Sequence, residues 1–196
     1  MEKQIQKMLT EGNGTIKASD ARLAGVNNKQ LQRLTEAGEL ERISRGLYIA
    51  AEQFEDEYFL TQYRCSKCVF SHETALFLHG LSDRTPIRLM MTIPSGYNSR
   101  LLKDRDRYKF FYCRTELHEV GLVTMLSPFG NNIRVYDKER TICDCIRKSD
   151  DMDRNIVIEA VKRYAIEKGN DHAALLRYAE LFNIRDIVKQ YMEVLN

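Results

Sequence analysis

Between Val26 and Ile49 the apolar positions recur first every three to four residues and then every second one. The stretch VNNKQLQRLTEAGELERISRGLYI therefore predicts a helix followed at once by a hairpin. Leu31, Leu34 and Ala37 share one helical face, while Asn28, Lys29, Gln32, Arg33 and Glu36 point away from it. Asn27 is placed to cap the first turn, and Gln30 three residues on completes a capping box. Gly38 suits the left-handed stop. Leu40, Arg42 and Ser44 then alternate with Glu41 and Ile43, Arg45-Gly46 turns the chain, and Leu47, Tyr48 and Ile49 return. Upstream, Gln4, Ile5, Met8 and Leu9 form a stripe on a helix ended by Gly12-Asn13-Gly14. Ile16 leads into a second helix, Ala18 to Ala24, with Ala21, Leu23 and Ala24 apolar and Gly25 as its end. Only Gly25 to Asn27 remain to turn into the next helix, which is helix-turn-helix spacing. Residues 1–52 thus outline a winged helix-turn-helix domain.

Residues 53–196 read as a second domain. Glu55 to Cys65 predicts a linking helix with an aromatic face, Val69-Phe70 a short buried strand, and SHETALFLHG a helix capped by Ser71 and stopped by Gly80. Strands are expected over Ile87–Ile93, Tyr108–Cys113, Gly121–Leu126 and Ile133–Tyr136, with SPFGNN turning between the last two. From Asp137 the period is helical. Asp137 caps a helix holding Ile142, Cys143, Cys145 and Ile146; Arg154–Lys168 follows with Gly169 as its stop, Asn170 caps Asp171–Phe182, and Ile184–Leu195 comes last. Strands first and helices last make the class α+β: the winged helix is followed by a mixed α/β domain with a small sheet and a C-terminal helical bundle.

In a helix-turn-helix the second helix enters the major groove. Asn28 and Gln32 are suited to base edges, Lys29 and Arg33 to phosphates or guanine, and the hairpin-tip Arg45 to an adjacent phosphate or the minor groove. Lys17 is a further candidate phosphate contact. The same polar face is also what an ordinary solvated helix carries, and winged helices serve as protein-protein modules too. Charge does not decide between these readings: within residues 1–52, eight basic side chains meet seven acidic ones, a net of +1. Between Arg100 and Arg114, by contrast, six bases face only Asp104 and Asp106, a net of +4. That span is either a solvated loop or a second phosphate-contacting patch centred on Arg105 and Arg107.

Composition bounds the rest. With 43% hydrophobic and 30% charged residues, this is the make-up of a globular protein, and no apolar run approaches the roughly 18 residues of a membrane helix. The start MEKQIQKML lacks the apolar core of a signal peptide, so a cytoplasmic protein is expected. The five cysteines, odd in number and unevenly placed, do not suggest a disulfide framework, and reduced thiols are expected.

The segments SHETALFLHGLSDRTP, VYDKERTICDCIR and IEAVKRYAIEKGNDHAALLRYAELFNI, following an N-terminal domain that ends in RGLY, resemble the AbiEi antitoxins of bacterial abortive-infection (phage-resistance) toxin-antitoxin systems. The resemblance covers nearly the whole chain; it rests on the set and its order, since no one motif is specific. It implies a winged helix that binds inverted repeats in the promoter of its own operon and represses it. It also implies a C-terminal domain that neutralises a partner nucleotidyltransferase toxin, in a type IV system where no stable complex of the two is needed. Carried onto this chain, the DNA-reading positions become Asn28, Lys29, Gln32, Arg33 and Arg45, and the match in the second domain centres on Arg140, Asp144 and Arg147 within ERT-x-x-D-x-x-R. Those three stand at helical spacings of four and three, so an internal ion-pair ladder explains them as well as a toxin-countering surface does.

Other chemistry is weakly signalled. Cys65, Cys68, Cys143 and Cys145 are spaced too widely for a compact zinc module, and buried thiols are expected instead. His72-Glu73 starts like a zinc-protease motif but Leu76 stands where the second histidine belongs; His79 and His118 are isolated. No metal site, cofactor or catalytic residue is therefore assigned. The alternative function is a nucleotidyltransferase-like enzyme acting on nucleic acid, with Asp104-Arg105-Asp106 holding magnesium, although the upstream Gly-Ser turn of that class is missing.

Overall fold

A computed structural model describes residues 3–194 of the chain. They form two compact units, one running up to Leu60 and taking in Leu126–Asn132, the other made of Thr61–Met125 and the chain from Ile133 onward.

The first unit contains helices α1 (Lys3–Glu11), α2 (Ala18–Leu23) and α3 (Asn28–Glu36), and strands β1 (Thr15–Lys17), β2 (Leu40–Ser44) and β3 (Leu47–Ala50). Its antiparallel sheet has the order β1-β3-β2. β1 is not legible as a strand from its own three residues. It is made one by pairing, Thr15 opposite Ile49, Ile16 opposite Tyr48 and Lys17 opposite Leu47. The core is Ile5, Leu9, Ile16, Ala21, Val26, Leu31, Leu34, Leu40 and Tyr48, the inward stripes of all three helices closing over one sheet face. Two residues expected on apolar faces lie outside it. Leu23, at the end of α2, is 89% exposed, and Ala37 is the exposed C-cap of α3. Here Asp56 is buried and fully engaged: its carboxylate accepts from Phe59 N, Ser127 Oγ and Asn131 Nδ2.

The chain leaves through α4 (Glu57–Arg64), which starts two residues later than the composition suggests. The second unit is built on a five-stranded sheet of order β6-β5-β4-β8-β7. Its strands are β4 (Val69–Phe70), β5 (Leu89–Pro94), β6 (Tyr108–Cys113), β7 (Leu122–Leu126) and β8 (Asn132–Tyr136). β4 runs parallel to β8 and antiparallel to β5, while β5 and β6 are parallel, so the sheet is mixed. β5 begins at Leu89, opposite Tyr108, and not at Ile87, which is 98% exposed. Helices α5 (His72–Leu78), α6 (Lys138–Arg147), α7 (Arg154–Ile166), α8 (His172–Leu181) and α9 (Arg185–Val194) complete it. Their apolar faces meet in one cluster that includes Leu76, Ile142, Cys143, Cys145, Val157, Val161, Tyr164, Leu175 and Val188. Leu195, the expected end of the last helix, lies outside the described residues.

Three local expectations are corrected. Ser71 precedes α5 but does not cap it with its side chain, because its hydroxyl is bonded to His72 Nδ1 (2.9 Å) and accepts from Thr92 Oγ1 (2.9 Å). Asp171, not Asn170, caps α8, taking Ala174 N at 2.8 Å; Asn170 Nδ2 instead donates to the carbonyls of Tyr164 and Glu167 and closes the end of α7, which stops at Ile166 before Gly169 is reached. Cys65 and Cys68 form a disulfide, against the expectation of reduced thiols, because the turn between α4 and β4 brings their Cα atoms to 5.4 Å. Cys113, Cys143 and Cys145 are free and buried. No helix among the described residues is long and apolar enough to cross a membrane.

Candidate nucleic-acid interface

The site is assembled by the devices that start α3. Asn27 Oδ1 accepts from Gln30 N (3.0 Å) while Gln30 Oε1 accepts from Asn27 N (2.8 Å), so the capping box is closed on both sides. Gly25, at φ +82°, supplies the left-handed turn between α2 and α3 that a side chain would strain. Gly46, at φ +75°, does the same in the β2-β3 turn, and its carbonyl accepts from Ala18 N at 2.8 Å, tying the hairpin tip to the start of α2. Between α2, α3 and the hairpin these constraints leave an open cleft of about 570 Å³.

Asn28, Gln32 and Thr35, spaced by four and three on one stripe of α3, form one wall; Arg22 of α2 forms another; Arg42 and Arg45 come from the hairpin, and Tyr48 lies at the floor. Three guanidiniums, one from α2 and two from the hairpin, thus line the cleft, with no carboxylate among the lining residues. Two of the polar side chains are partly committed. Thr35 Oγ1 donates to Leu31 O (2.9 Å) and Gln32 Nε2 to Glu36 Oε1 (2.9 Å). Arg42 Nε reaches Ser44 O at 3.4 Å.

Of the residues singled out from sequence, Asn28, Gln32 and Arg45 come together in this cleft. Lys29 and Arg33 are exposed on the adjacent stripe of α3 and do not line it. Lys17, on β1, is half-buried with its ammonium 5.2 Å from the centre of the Phe59 ring. Arg105 and Arg107 belong to the other unit, exposed in the turn before β6, where Asp104 Oδ1 accepts from Arg107 N (3.3 Å) and Arg107 lies 5.6 Å from the Tyr108 ring. The Asp104-Arg105-Asp106 run is therefore part of a turn, with Asp104 spent on bracing it. Sequence reading passed over Arg22 and Arg42. Arg42 could have been found from the hairpin register, which sets it opposite Tyr48; nothing in the local pattern marks Arg22.

The ERT-x-x-D-x-x-R segment lies elsewhere, in the second unit. Asp144 accepts from Arg140 Nε (2.9 Å) and from Arg147 Nη2 (2.9 Å), so the ladder forms. Arg140 and Asp144 are fully buried. Arg140 Nη1 donates to the carbonyls of Leu117 (3.0 Å) and Val120 (3.1 Å), and its guanidinium is sandwiched 4.3 Å from the Tyr136 ring and 4.4 Å from Phe182. Burial pushes the Asp144 carboxyl up from its ordinary range, against the pull of the two guanidiniums. Near them His72 stacks on Phe111 with ring centres 3.5 Å apart, in the left-handed region at φ +51°. Burial first, then the charge of Arg147, drives its pKa well below the ordinary histidine value. His79 and His118 bond the carbonyls of Tyr136 and Lys67.

No curated protein matches the chain. Residues 4–51, the stretch that builds the cleft, match the family model described as "Transcriptional regulator, AbiEi antitoxin", and in that stretch the chain is similar to this family of regulators.

Proposed function

We propose that the protein is an antitoxin and transcriptional autorepressor. In this reading residues 1–52 are a winged helix-turn-helix, with α2 and α3 as the helix pair and β2-β3 as the wing, and they bind duplex DNA at inverted repeats in the promoter of their own operon. Residues 53–196 neutralise a partner nucleotidyltransferase toxin without forming a stable complex with it. The observation that carries the reading is the cleft lined by three arginines and no carboxylate, beside an exposed Lys29-Arg33 stripe, within the stretch that matches a regulator family. A nearly neutral domain gains DNA affinity only if its cations converge locally, and here they do.

The test is a mobility-shift titration of the operon's promoter fragment, without metal, set beside growth rescue on co-expression with the toxin. The full chain retards the fragment and restores growth. A Lys29→Ala/Arg33→Ala double variant loses retardation yet still restores growth. Loss of both activities in that variant would overturn the division of labour, and magnesium-dependent labelling of RNA from a nucleoside triphosphate would overturn the non-enzymatic reading.

A further inference from the structure

The direction of each stripe of α3 carries more than the exposure of its residues. Leu31 and Leu34 are buried and fix the inward side of the helix. At about 100° per residue, Lys29 falls nearly opposite that pair and Arg33 beyond it, on the side away from the hairpin, whereas Asn28 and Thr35 fall on the hairpin side. Gln32 leans the same way, lining the cleft while its amide nitrogen is bonded to Glu36. A helix laid in a major groove turns its outermost stripe to the bases and its flanks to the backbones that border the groove. The flank of α3 beside the hairpin opens onto Arg22, Arg42 and Arg45, with no acid among the lining side chains. Such a concavity selects a strand of repeated negative charge, and amide side chains such as Asn28 can donate to phosphate oxygens as readily as to bases.

We propose that the cleft between α2, α3 and the hairpin seats the sugar-phosphate backbone of one DNA strand, held by Arg22, Arg42 and Arg45, and that sequence is read beside it by Lys29 and Arg33. The proposal rests on the DNA-binding reading above and sharpens it: the amides Asn28 and Gln32 serve position, and the cations on the outer stripe serve specificity. Lys29 and Arg33 then meet guanine-rich edges, since a guanidinium pairs with the O6 and N7 acceptors of guanine.

The full-length protein is titrated, at several salt concentrations, with a short duplex of randomised sequence and with the duplex that it enriches from that pool. Arg22→Ala and Arg42→Ala each lower the slope of log affinity against log salt by about 0.9, with equal fold losses on both duplexes. Arg42→Lys keeps the slope, and circular dichroism shows every variant folded, all the altered side chains being exposed. Arg33→Ala lowers the ratio of enriched to random affinity by about 10-fold, whereas Asn28→Ala leaves that ratio unchanged. If the wild type retards no duplex, the DNA-binding reading itself fails. If it retards duplex but the Arg22→Ala/Arg42→Ala variant keeps the wild-type slope, the seat alone is wrong. A ratio that depends on Asn28 and not on Arg33 reverses the assignment and overturns it. Tight binding of a mononucleotide without duplex, abolished in the double variant, would make the cleft a small-ligand pocket and overturn it too.

Discussion

Arginine does opposite work in the two units. In the first, Arg22 from α2 and Arg42 and Arg45 from the hairpin reach an open cleft, and no acid stands among the residues that line it. In the second, Arg140 and Arg147 close on the single carboxylate of Asp144, and Arg140 is further consumed by two carbonyls and two aromatic faces. A guanidinium left facing solvent offers its charge to whatever arrives. One engaged by a buried carboxylate, carbonyls and aromatic faces holds neighbouring elements in register. The contrast shows that counting basic residues by domain, which yields only +1 for residues 1–52, misses where the charge is usable.

The largest effect that would break this comparison is at Asp144. Asp144→Ala strands two guanidiniums, one of them fully buried, and is expected to destabilise the second unit by about 3–5 kcal/mol in chemical denaturation. A loss under about 1 kcal/mol would mean that Arg140 and Arg147 are not held by that carboxylate.

A smaller effect concerns pH. His72 is buried and neutral when folded, its pKa far below the ordinary value, whereas the unfolded chain takes up that proton near pH 6.5. Below about pH 6.5 the unfolded state therefore binds more protons, and stability falls as pH drops, by at most about 1.4 kcal/mol per pH unit for this group. His72→Asn, which tolerates the left-handed backbone and does not titrate, flattens the dependence in thermal melts taken between neutral and mildly acid pH. An unchanged slope would place the titration in other groups.

The smallest effect sharpens the other side. Arg22→Ala and Arg42→Ala are expected to change stability by no more than about 0.5 kcal/mol, because both side chains are exposed. A larger loss would show that these arginines, like Arg140, hold the fold together and are not kept for a ligand.

How much of this could be read from the chain alone differs from element to element. The capping box at Asn27, the hairpin turn at Arg45-Gly46 and the Asp137 cap are local chemistry written within a few residues, and each appears as expected. Where a residue's fate depends on a distant partner the reading fails. Thr15–Lys17 becomes a strand only because β3 pairs with it. Ser71 gives up its capping role because Thr92 and His72 take its hydroxyl, and Ile87 is left outside β5 because the pairing with β6 begins at Leu89. The candidate site divides in the same way. Asn28, Gln32 and Arg45 could be named from helix period and turn position, while Arg22 and Arg42 joined them only through the packing of α2 and the hairpin beside α3.

By itself, then, the sequence determined the start of α3, the polar face it carries and the spacing of Arg140, Asp144 and Arg147, since each follows from backbone periodicity and capping over a few residues. Only the tertiary structure decided which cations face one another across a cleft and which are sealed against a carboxylate. That depends on how separate elements pack, α2 and the hairpin beside α3 in one unit and Tyr136, Phe182 and the carbonyls of Leu117 and Val120 around Arg140 in the other, and burial turns the same guanidinium from a surface charge into an internal brace.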